Sequence, residues 1–393
     1  MKGIMSKREF YLPLSGFIMS AVLLSSLSSF VIFIGYFSKL TNTNTSLLFY
    51  LGTLLYFAGM PAGKLIGRIL KYHKNTILAT FIVVTVISAT VVFMPYVNNF
   101  ALLLTFRFIQ GGATILMEIF SLSYAYIYSD RKRILASTVS ISGIPAGVAI
   151  GSSVPFLASM NPDLVYAVLG LLSFILIIPF VFLLSKDREA LNVLKEEKKG
   201  TTVKMSITWL LAFLWMSIAG FNLVLGSILP IYLGKYDPKD IVMTMNIFGF
   251  WGAGATIVGG LIAYFLYSKA LGYRALIYVS IIGYLFAVPG FILLALRVTN
   301  LILYLAMFLT QFEAFVIAAI YTLPKKLYPP GLVAKGTWEF SFVGSLGHII
   351  APLILIPIAY SIGFNYMFAI ILIFPIYGIF AMGYLLTKIN NKI

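Results

Sequence analysis

Five ionisable side chains stand inside long apolar stretches of the sequence and are the first candidates for chemistry. They are Arg107, Glu118, Glu313, Glu339 and His348. In apolar surroundings each of them is costly unless it faces protein or a water-filled cavity. Such groups can bind a polar solute or carry a proton.

Arg107 and Glu118 are predicted to share one face of a helix. They are 11 residues apart, which is three helical turns with about 20° of residual rotation and roughly 16 Å of rise. Gln110 and Thr114 lie between them on that face. The four residues predict a polar stripe on a cavity wall, suited to proton coupling or substrate binding. The alternative is a structural network that joins this helix to its neighbours.

Glu313 lies near the centre of another apolar stretch, with Thr310 one turn before it on nearly the same face. Gln311 is predicted to point largely to another side. Burial penalises the charged form of a carboxyl, so Glu313 is a proton-coupling or substrate-binding candidate and Thr310 a cavity candidate. The alternative is a neutral, hydrogen-bonded structural glutamate.

Three weaker candidates for the cavity are Ser25, Asn222 and His348. A serine can bond to its own helix, and a lone histidine can simply pack and form a hydrogen bond, so these signals are less specific. Glu339 is predicted in the first turn of its helix, where a carboxylate interacts favourably with the helix dipole. We therefore interpret Glu339 as mainly structural.

Long apolar helices must position these side chains. The chain has 393 residues, of which 61% are hydrophobic and 10% charged, against about a quarter charged in a soluble domain. Apolar runs of about 20 residues recur, and each can cross a hydrocarbon layer of roughly 30 Å. We predict an all-α integral membrane protein with twelve transmembrane helices, near 12–37, 46–66, 76–96, 100–124, 135–158, 163–184, 205–233, 241–266, 275–296, 301–323, 338–360 and 364–387.

The basic residues predict the orientation of these helices. With twelve spans, 23 of the 28 Lys and Arg residues lie in connections on the side of the two termini and four lie on the other side. The positive-inside rule then predicts a multi-pass protein of the plasma membrane with both termini in the cytoplasm. Because the basic residues are spread over short connections, the net charge of +16 does not indicate a nucleic-acid partner.

The longest connection, residues 185–204, divides six predicted helices from six. It holds four of the twelve acidic residues and is predicted to be a cytoplasmic loop between an N-terminal bundle, 1–184, and a C-terminal bundle, 205–393. When the chain is aligned with itself at a single offset, residues of helices 1, 2 and 5 match residues of their partner helices in the second half. This match predicts two pseudo-symmetric six-helix bundles. The offset of 197 pairs Met19 with Met216, Ser20 with Ser217, Ser25 with Asn222, Gly63 with Gly260, Gly147 with Gly344 and Pro155 with Pro352.

Two motifs within this layout make the chain resemble the major facilitator superfamily. The segment RFIQGGA is similar to the family's helix 4 motif at Arg107, Gln110, Gly111 and Ala113. In the family, that arginine is associated with proton coupling. The resemblance also implies halves that rock around a site walled by helices 1, 4, 7 and 10.

The second motif follows helix 2. The segment GKLIGRILK resembles the family signature G-x-L-x-D-R-x-G-R, and Gly63, Arg68 and Lys71 are the matching positions that imply a conformational loop. Gly67 stands where the aspartate belongs and Leu70 where the glycine belongs. The missing aspartate removes a charge contact that helps to latch one conformational state in the family.

These observations predict a secondary transporter that moves a small-molecule solute by alternating access, coupled to protons. The alternative on the same scaffold is a facilitator (uniporter) or a non-transporting receptor. An enzyme is not expected, because the predicted spans hold no Cys, no Asp and one His. For the same reason no metal site or cofactor is expected. We expect a monomer in the lipid bilayer.

Overall fold

The computed structural model is helical throughout the part of the chain that it describes. No strand occurs in these ranges, which agrees with the predicted all-α class. The described residues are 7–69, 76–125, 128–158, 161–186, 205–236, 238–329 and 332–390.

Long helices follow one another through short connections. The first is extended by a short helix, Ile34–Leu40. In chain order the long helices are α1 (Lys7–Ile32), α2 (Thr45–Ile69), α3 (Thr76–Phe93), α4 (Phe100–Ala125), α5 (Asp130–Ala158), α6 (Pro162–Ser185), α7 (Met205–Tyr236), α8 (Pro238–Leu266), α9 (Tyr273–Ala295), α10 (Asn300–Leu327), α11 (Val333–Ser345, continuing as Gly347–Ser361) and α12 (Phe364–Asn390).

Within the described residues, 11 helices are long and apolar enough to cross a membrane. They indicate a multi-pass membrane protein, as predicted. Helix α4 has 26 residues, but the side chains of residues 115–125 lie outside the described part. The number of twelve spans therefore stays a prediction.

Asparagine side chains define where several helices begin. The side-chain oxygens of Asn44, Asn99 and Asn161 accept hydrogen bonds from backbone N–H groups in the first turns of α2, α4 and α6, at 2.9, 3.0 and 3.2 Å. These N–H groups have no partner within their own helix. These caps mark helix starts on the side of the membrane that is predicted to be extracellular.

Burial separates inner helices from outer ones. In the most apolar window of each helix, 78% of α5 and 89% of α7 are buried, against 33% of α6 and 33% of α12. Apolar side chains that remain exposed on α6 and α12, such as Leu171 and Phe380, suit contact with lipid tails. The inner helices therefore position the polar side chains.

Helix α5 packs closely against α1 on one side and α8 on the other. Its row of Gly143, Gly147 and Gly151 faces backbone carbonyl groups of α1. On the other side, Thr138 packs directly on Gly260 of α8. Small residues allow this close approach of helices.

Two glycines paired by the 197 offset each pack on another helix, although the offset pairs Ala21 with Ile218 rather than with Ala212. Gly147 of α5 faces the carbonyl oxygen of Ala21 in α1, and Gly344 of α11 faces that of Ala212 in α7. The contact of α5 with α1 thus corresponds to the contact of α11 with α7. This agreement is what a duplicated unit predicts, although the division into two six-helix bundles stays a prediction.

Three predicted helix starts are wrong by more than one turn. Helix α1 begins at Lys7 rather than near residue 12, α5 at Asp130 rather than near 135, and α11 at Val333 rather than near 338. Polar residues therefore form the first turns of these helices, which the apolar pattern excluded. Glu339 lies in the second turn of α11, so the argument from the helix dipole, which acts mainly on the first turn, no longer applies to it.

Gly111 is predicted to be intolerant of any side chain. A Cβ atom there would lie 1.7 Å from the carbonyl oxygen of Tyr56 in α2, whereas at Gly383 in α12 it would meet nothing within 4 Å. We expect Gly111→Ala to destabilise the protein by about 1–3 kcal/mol, while Gly383→Ala leaves stability unchanged or raised because alanine favours helix. Thermal unfolding of both variants in one detergent checks this, and equal unfolding temperatures would contradict it.

Candidate functional site

Helix α7 changes its winding in the middle. Residues Met216–Asn222 form a π-helical turn between two α-helical segments. Gly220 lies in this turn against the backbone of Gly347 in α11, where a Cβ would stand 2.8 Å from the carbonyl carbon. Such turns are rare in proteins, but those that occur often lie at functional sites.

Helix α10 also changes its winding, at the position of Glu313. Residues Gln311–Val316 form a tighter 3-10 turn between α-helical segments. The Glu313 side chain is 1% exposed, and the hydroxyl of Ser217 on the π turn of α7 donates a hydrogen bond to its Oε1. Two irregular turns thus meet at one buried carboxyl group.

Thr310 and Gln311 precede this carboxyl group. The Thr310 hydroxyl donates to the carbonyl oxygen of Met307 at 2.8 Å, and Gln311 Nε2 donates to Thr310 Oγ1 at 3.0 Å. Gln311 lines a cavity beside this turn, whereas the Glu313 carboxyl group is bonded to Ser217 of α7. The predicted difference in direction between Gln311 and Glu313 is therefore present.

A cavity of about 60 Å³ lies beside the π turn. This volume is much smaller than the roughly 300–1,000 Å³ of pockets that hold drug-sized ligands, and the cavity is only partly enclosed by the helices. Most of the lining is apolar. The lining residues come from α5, α7, α8, α10 and α11 and include the polar side chains Asn222, Thr256, Gln311 and His348.

His348 contributes one edge of the cavity. Its ring stacks on Phe57 of α2 with centroids 6.0 Å apart, and its Nδ1 lies 2.9 Å from the carbonyl oxygen of Ser345. A carbonyl oxygen can only accept, so Nδ1 carries a proton in this contact. In the neutral ring, Nε2 is then an acceptor.

The polar stripe of α4 forms a connected network. The Arg107 guanidinium donates to Gln110 Oε1 at 2.9 Å and lies over the rings of Phe30 and Tyr56, at 4.2 and 4.4 Å from their centroids. Thr114 Oγ1 lies 3.2 Å from the Tyr56 hydroxyl. The stripe thus joins α4 to α1 and α2, which is the structural alternative for these side chains.

None of Arg107, Gln110 and Thr114 is among the residues that line the cavity. The side chain of Glu118 lies outside the described residues. Of the helices expected to wall the site, α7 and α10 line this cavity, whereas its other lining residues come from α5, α8 and α11. The coupling role of the α4 stripe stays a prediction.

The two candidates paired by the repeat have different surroundings. Asn222 lines the cavity at the end of the π turn. Ser25 donates to the carbonyl oxygen of Val22 in its own helix at 2.5 Å, and its backbone packs against Gly151. Ser25 is thus used within the contact of α1 with α5.

The motif that was predicted to form a loop after helix 2 lies largely within α2, because α2 continues to Ile69. The prediction of a loop at Gly63 and Arg68 is therefore wrong, and this end of α2 contacts α11. Arg68 lies over the Trp338 ring at 4.1 Å from its centroid, and Gly63 packs on the backbone of Gly112. Lys71 lies outside the described residues.

Lys64, which was counted with the cytoplasmic connections, is instead fully buried in α2. Its ammonium group donates to both the carbonyl oxygen and the hydroxyl of Ser341 in α11, each at 2.6 Å. Residue 64 lies within the predicted span 46–66, and this is the one sequence signal that could have indicated that Lys64 is buried.

Ser217 and Trp215 were also missed as site residues. The repeat pairs Ser217 with Ser20, but only the packing of α7 on α10 brings Ser217 to Glu313. Trp215 was counted merely as part of an apolar run, although it lines the cavity.

Comparison with known proteins gives a family match and solved structures of similar fold. The sequence model of the Major Facilitator Superfamily matches residues 14–352. The crystal structure of the human organic anion transporter MFSD10 (TETRAN) is similar in fold, with a TM-score of 0.66 and 15% identity, over 95% of this chain and 99% of that chain. No curated protein sequence matches the chain.

Proposed function

The chain belongs to the major facilitator superfamily, and from this premise we propose that it moves a small solute by alternating access coupled to protons. The family and the fold make it a membrane transporter rather than an enzyme. The charge bias of the connections supports a plasma-membrane protein with both termini in the cytoplasm. We further propose two six-helix halves, α1–α6 and α7–α12, joined by residues 185–204.

The buried carboxyl group of Glu313 carries the proposal of proton coupling. It is 1% exposed and is bonded by Ser217, whose π turn also carries the cavity residue Asn222. A carboxylate is costly when dry and far less costly when wetted. A proton that binds or leaves Glu313 can therefore be linked to solute through the same turn.

Contacts between the proposed halves support alternating access at the end predicted to be cytoplasmic. Lys325 of α10 donates to Asp130 at the start of α5, and the Tyr273 hydroxyl donates to the same carboxylate at 2.7 Å. The bond from Lys64 to Ser341 joins α2 to α11 at this end. These contacts link the proposed halves on that side.

Contacts also join the proposed halves at the opposite end. The Ser153 hydroxyl of α5 donates to Asn246 of α8. The rings of Phe49 in α2 and Tyr360 in α11 lie 6.4 Å apart. Contacts of this kind at each end can form and break in turn during an alternating-access cycle.

We propose that Arg107 and Glu118 belong to the coupling machinery as a second element. The Nε and one Nη atom of Arg107 have no hydrogen-bond partner among the described residues. A buried guanidinium with free N–H groups can hold a carboxylate. Glu118 is the acidic residue of the same predicted face.

Vesicles that contain a pH-sensitive dye test the proposed function. Purified protein is reconstituted, and pools of uncharged, anionic and cationic small solutes are added separately while the lumenal pH is recorded. We expect one pool to change the lumenal pH in protein-containing vesicles but not in empty ones. Entry of labelled solute without proton movement would favour the facilitator, and absence of any solute entry would favour the receptor.

A further inference from the structure

Two polar groups at the cavity have hydrogen-bonding capacity that the described residues do not use. The indole N–H of Trp215 and the Oδ1 of Asn222 have no hydrogen-bond partner among those residues. Both residues line the cavity, and they are 1% and 8% exposed. A buried polar group without a partner is unfavourable, so a solute that satisfies both groups gains affinity here.

The lining of the cavity carries no formal charge. None of the described residues that line it is Asp, Glu, Lys or Arg. A charged solute in this place would lose its hydration without gaining an opposite charge. The lining therefore disfavours both anions and cations.

Three buried ionisable groups, Glu313, Arg107 and Lys64, do not line the cavity. The Lys64 ammonium group donates to Ser341 of α11. Glu313 accepts from Ser217 and is not a lining residue, and Arg107 lies between the rings of Phe30 and Tyr56. His348 offers an acceptor when neutral, because its Nδ1 proton is directed to the carbonyl oxygen of Ser345. The groups left for a solute are thus neutral donors and acceptors.

The walls favour a flat apolar body. Pro145, Phe248 and Trp215 stand around the cavity together with branched aliphatic side chains. Aromatic and aliphatic walls gain from burying apolar surface, while a few polar groups fix the orientation of the ligand.

We infer that the cavity takes an uncharged, mainly apolar solute that carries both a hydrogen-bond acceptor for the Trp215 N–H and a donor for Asn222 Oδ1. The inference rests on the proposed transport function and names its substrate class. It predicts selection against the carboxylate and the ammonium analogues of the same molecule.

Three probes of matched size test the inference: benzamide, benzoate and benzylamine. Benzamide is neutral and has both a donor and an acceptor, whereas the other two are charged at neutral pH. Binding to the purified full-length chain is measured by titration in detergent, without a pH gradient. We expect benzamide to bind more tightly than either charged probe, by roughly tenfold or more, because a buried charge without a counter-charge is costly.

Variants that remove the two unused groups complete the test. Trp215→Phe keeps an aromatic ring but removes the N–H donor, and Asn222→Leu removes the acceptor. Each is expected to weaken benzamide binding roughly two- to tenfold, the effect of one net hydrogen bond. The matched control is Trp209→Phe, at a site 41% exposed and outside the lining, which should leave the affinity unchanged.

Tighter binding of benzoate or benzylamine than of benzamide overturns the inference, and so does binding of none of the three. Unchanged benzamide affinity in a folded Trp215→Phe or Asn222→Leu variant also overturns it, and the second variant decides if the first does not fold. Because the titration needs no gradient, a chain that binds benzamide but moves no protons would contradict the proposed coupling while supporting this substrate class.

Discussion

Vesicles that contain Glu313→Gln lose solute-driven proton movement, falling to the level of protein-free vesicles, while exchange of solute across the membrane continues. The glutamine side chain has nearly the same volume and can still accept the hydrogen bond from Ser217 that Glu313 accepts. The amide group of glutamine does not gain or lose a proton near neutral pH. The substitution thus separates coupling from transport of the solute.

The measurement compares two signals in one preparation. Lumenal pH reports proton movement, and counterflow of the labelled solute reports exchange, which needs no net proton transfer. Glu339→Gln is the matched control, because it makes the same chemical change at a partly exposed carboxyl of α11. If Glu313→Gln retains proton movement, Glu313 is the neutral structural glutamate that the sequence left as an alternative.

Substitution of Lys64 by Met shifts the protein toward a state open on the side predicted to be cytoplasmic. The ammonium group is fully buried and donates to the carbonyl oxygen and the hydroxyl of Ser341, each at 2.6 Å. Methionine keeps the apolar length of the side chain and removes the donor. A net loss of about 2 kcal/mol for a charged hydrogen bond corresponds to roughly a thirtyfold change in the equilibrium between two states.

Spin labels on the ends of α2 and α7 measure this shift. The chain has no cysteine, so Cys can be introduced at Ile69 and Met205, which are 68% and 71% exposed, without removing native thiols. We expect the distance distribution between the labels to move to longer values in Lys64→Met, and less so in Ser341→Ala, which removes only the hydroxyl acceptor.

Lys132→Met provides the control for the loss of a lysine. Lys132 donates to both carboxylate oxygens of Glu9 at 2.8 Å, a contact of α5 with α1 inside one proposed half. It should leave the distribution unchanged. An unchanged distribution in Lys64→Met would show that the bond to Ser341 does not hold this side closed. The latch would then lie in the Asp130 contacts instead.

The missing aspartate of the loop motif gains a physical interpretation from these contacts. Gly67 cannot supply the charge that the family signature places there. Lys64, three residues earlier, bonds α11 directly, and Asp130 of another connection accepts from Lys325 and Tyr273. Contacts between the proposed halves at this end therefore exist without the family's aspartate.

The sequence alone could identify the ionisable and polar side chains that apolar helices must shelter. Glu313 and Asn222 were both reached in this way, because a polar group inside a long apolar run stands out whatever its neighbours are. Their partners could not be reached. Ser217 is 96 residues from Glu313 along the chain, and no pattern within one helix reports which neighbouring helix it faces.

Irregular winding was equally hidden from the sequence. The segment 205–233 reads as one uninterrupted apolar helix, yet Met216–Asn222 form a π turn. Gly220 of that turn packs on Gly347 of α11, a contact that involves two helices together. The same holds for Lys64, whose burial depends on Ser341 of α11 as an acceptor.

The length and apolarity of its segments determined that this protein lies in a membrane as a set of helices, because runs of about 20 apolar residues span the bilayer as helices that pair their own backbone groups. Motifs on α2 and α4 indicated the family. Only the tertiary structure decided which polar side chains meet: Glu313 with Ser217, and Lys64 with Ser341. The physical reason is that rotation and spacing of packed helices are set by side chains far apart in sequence.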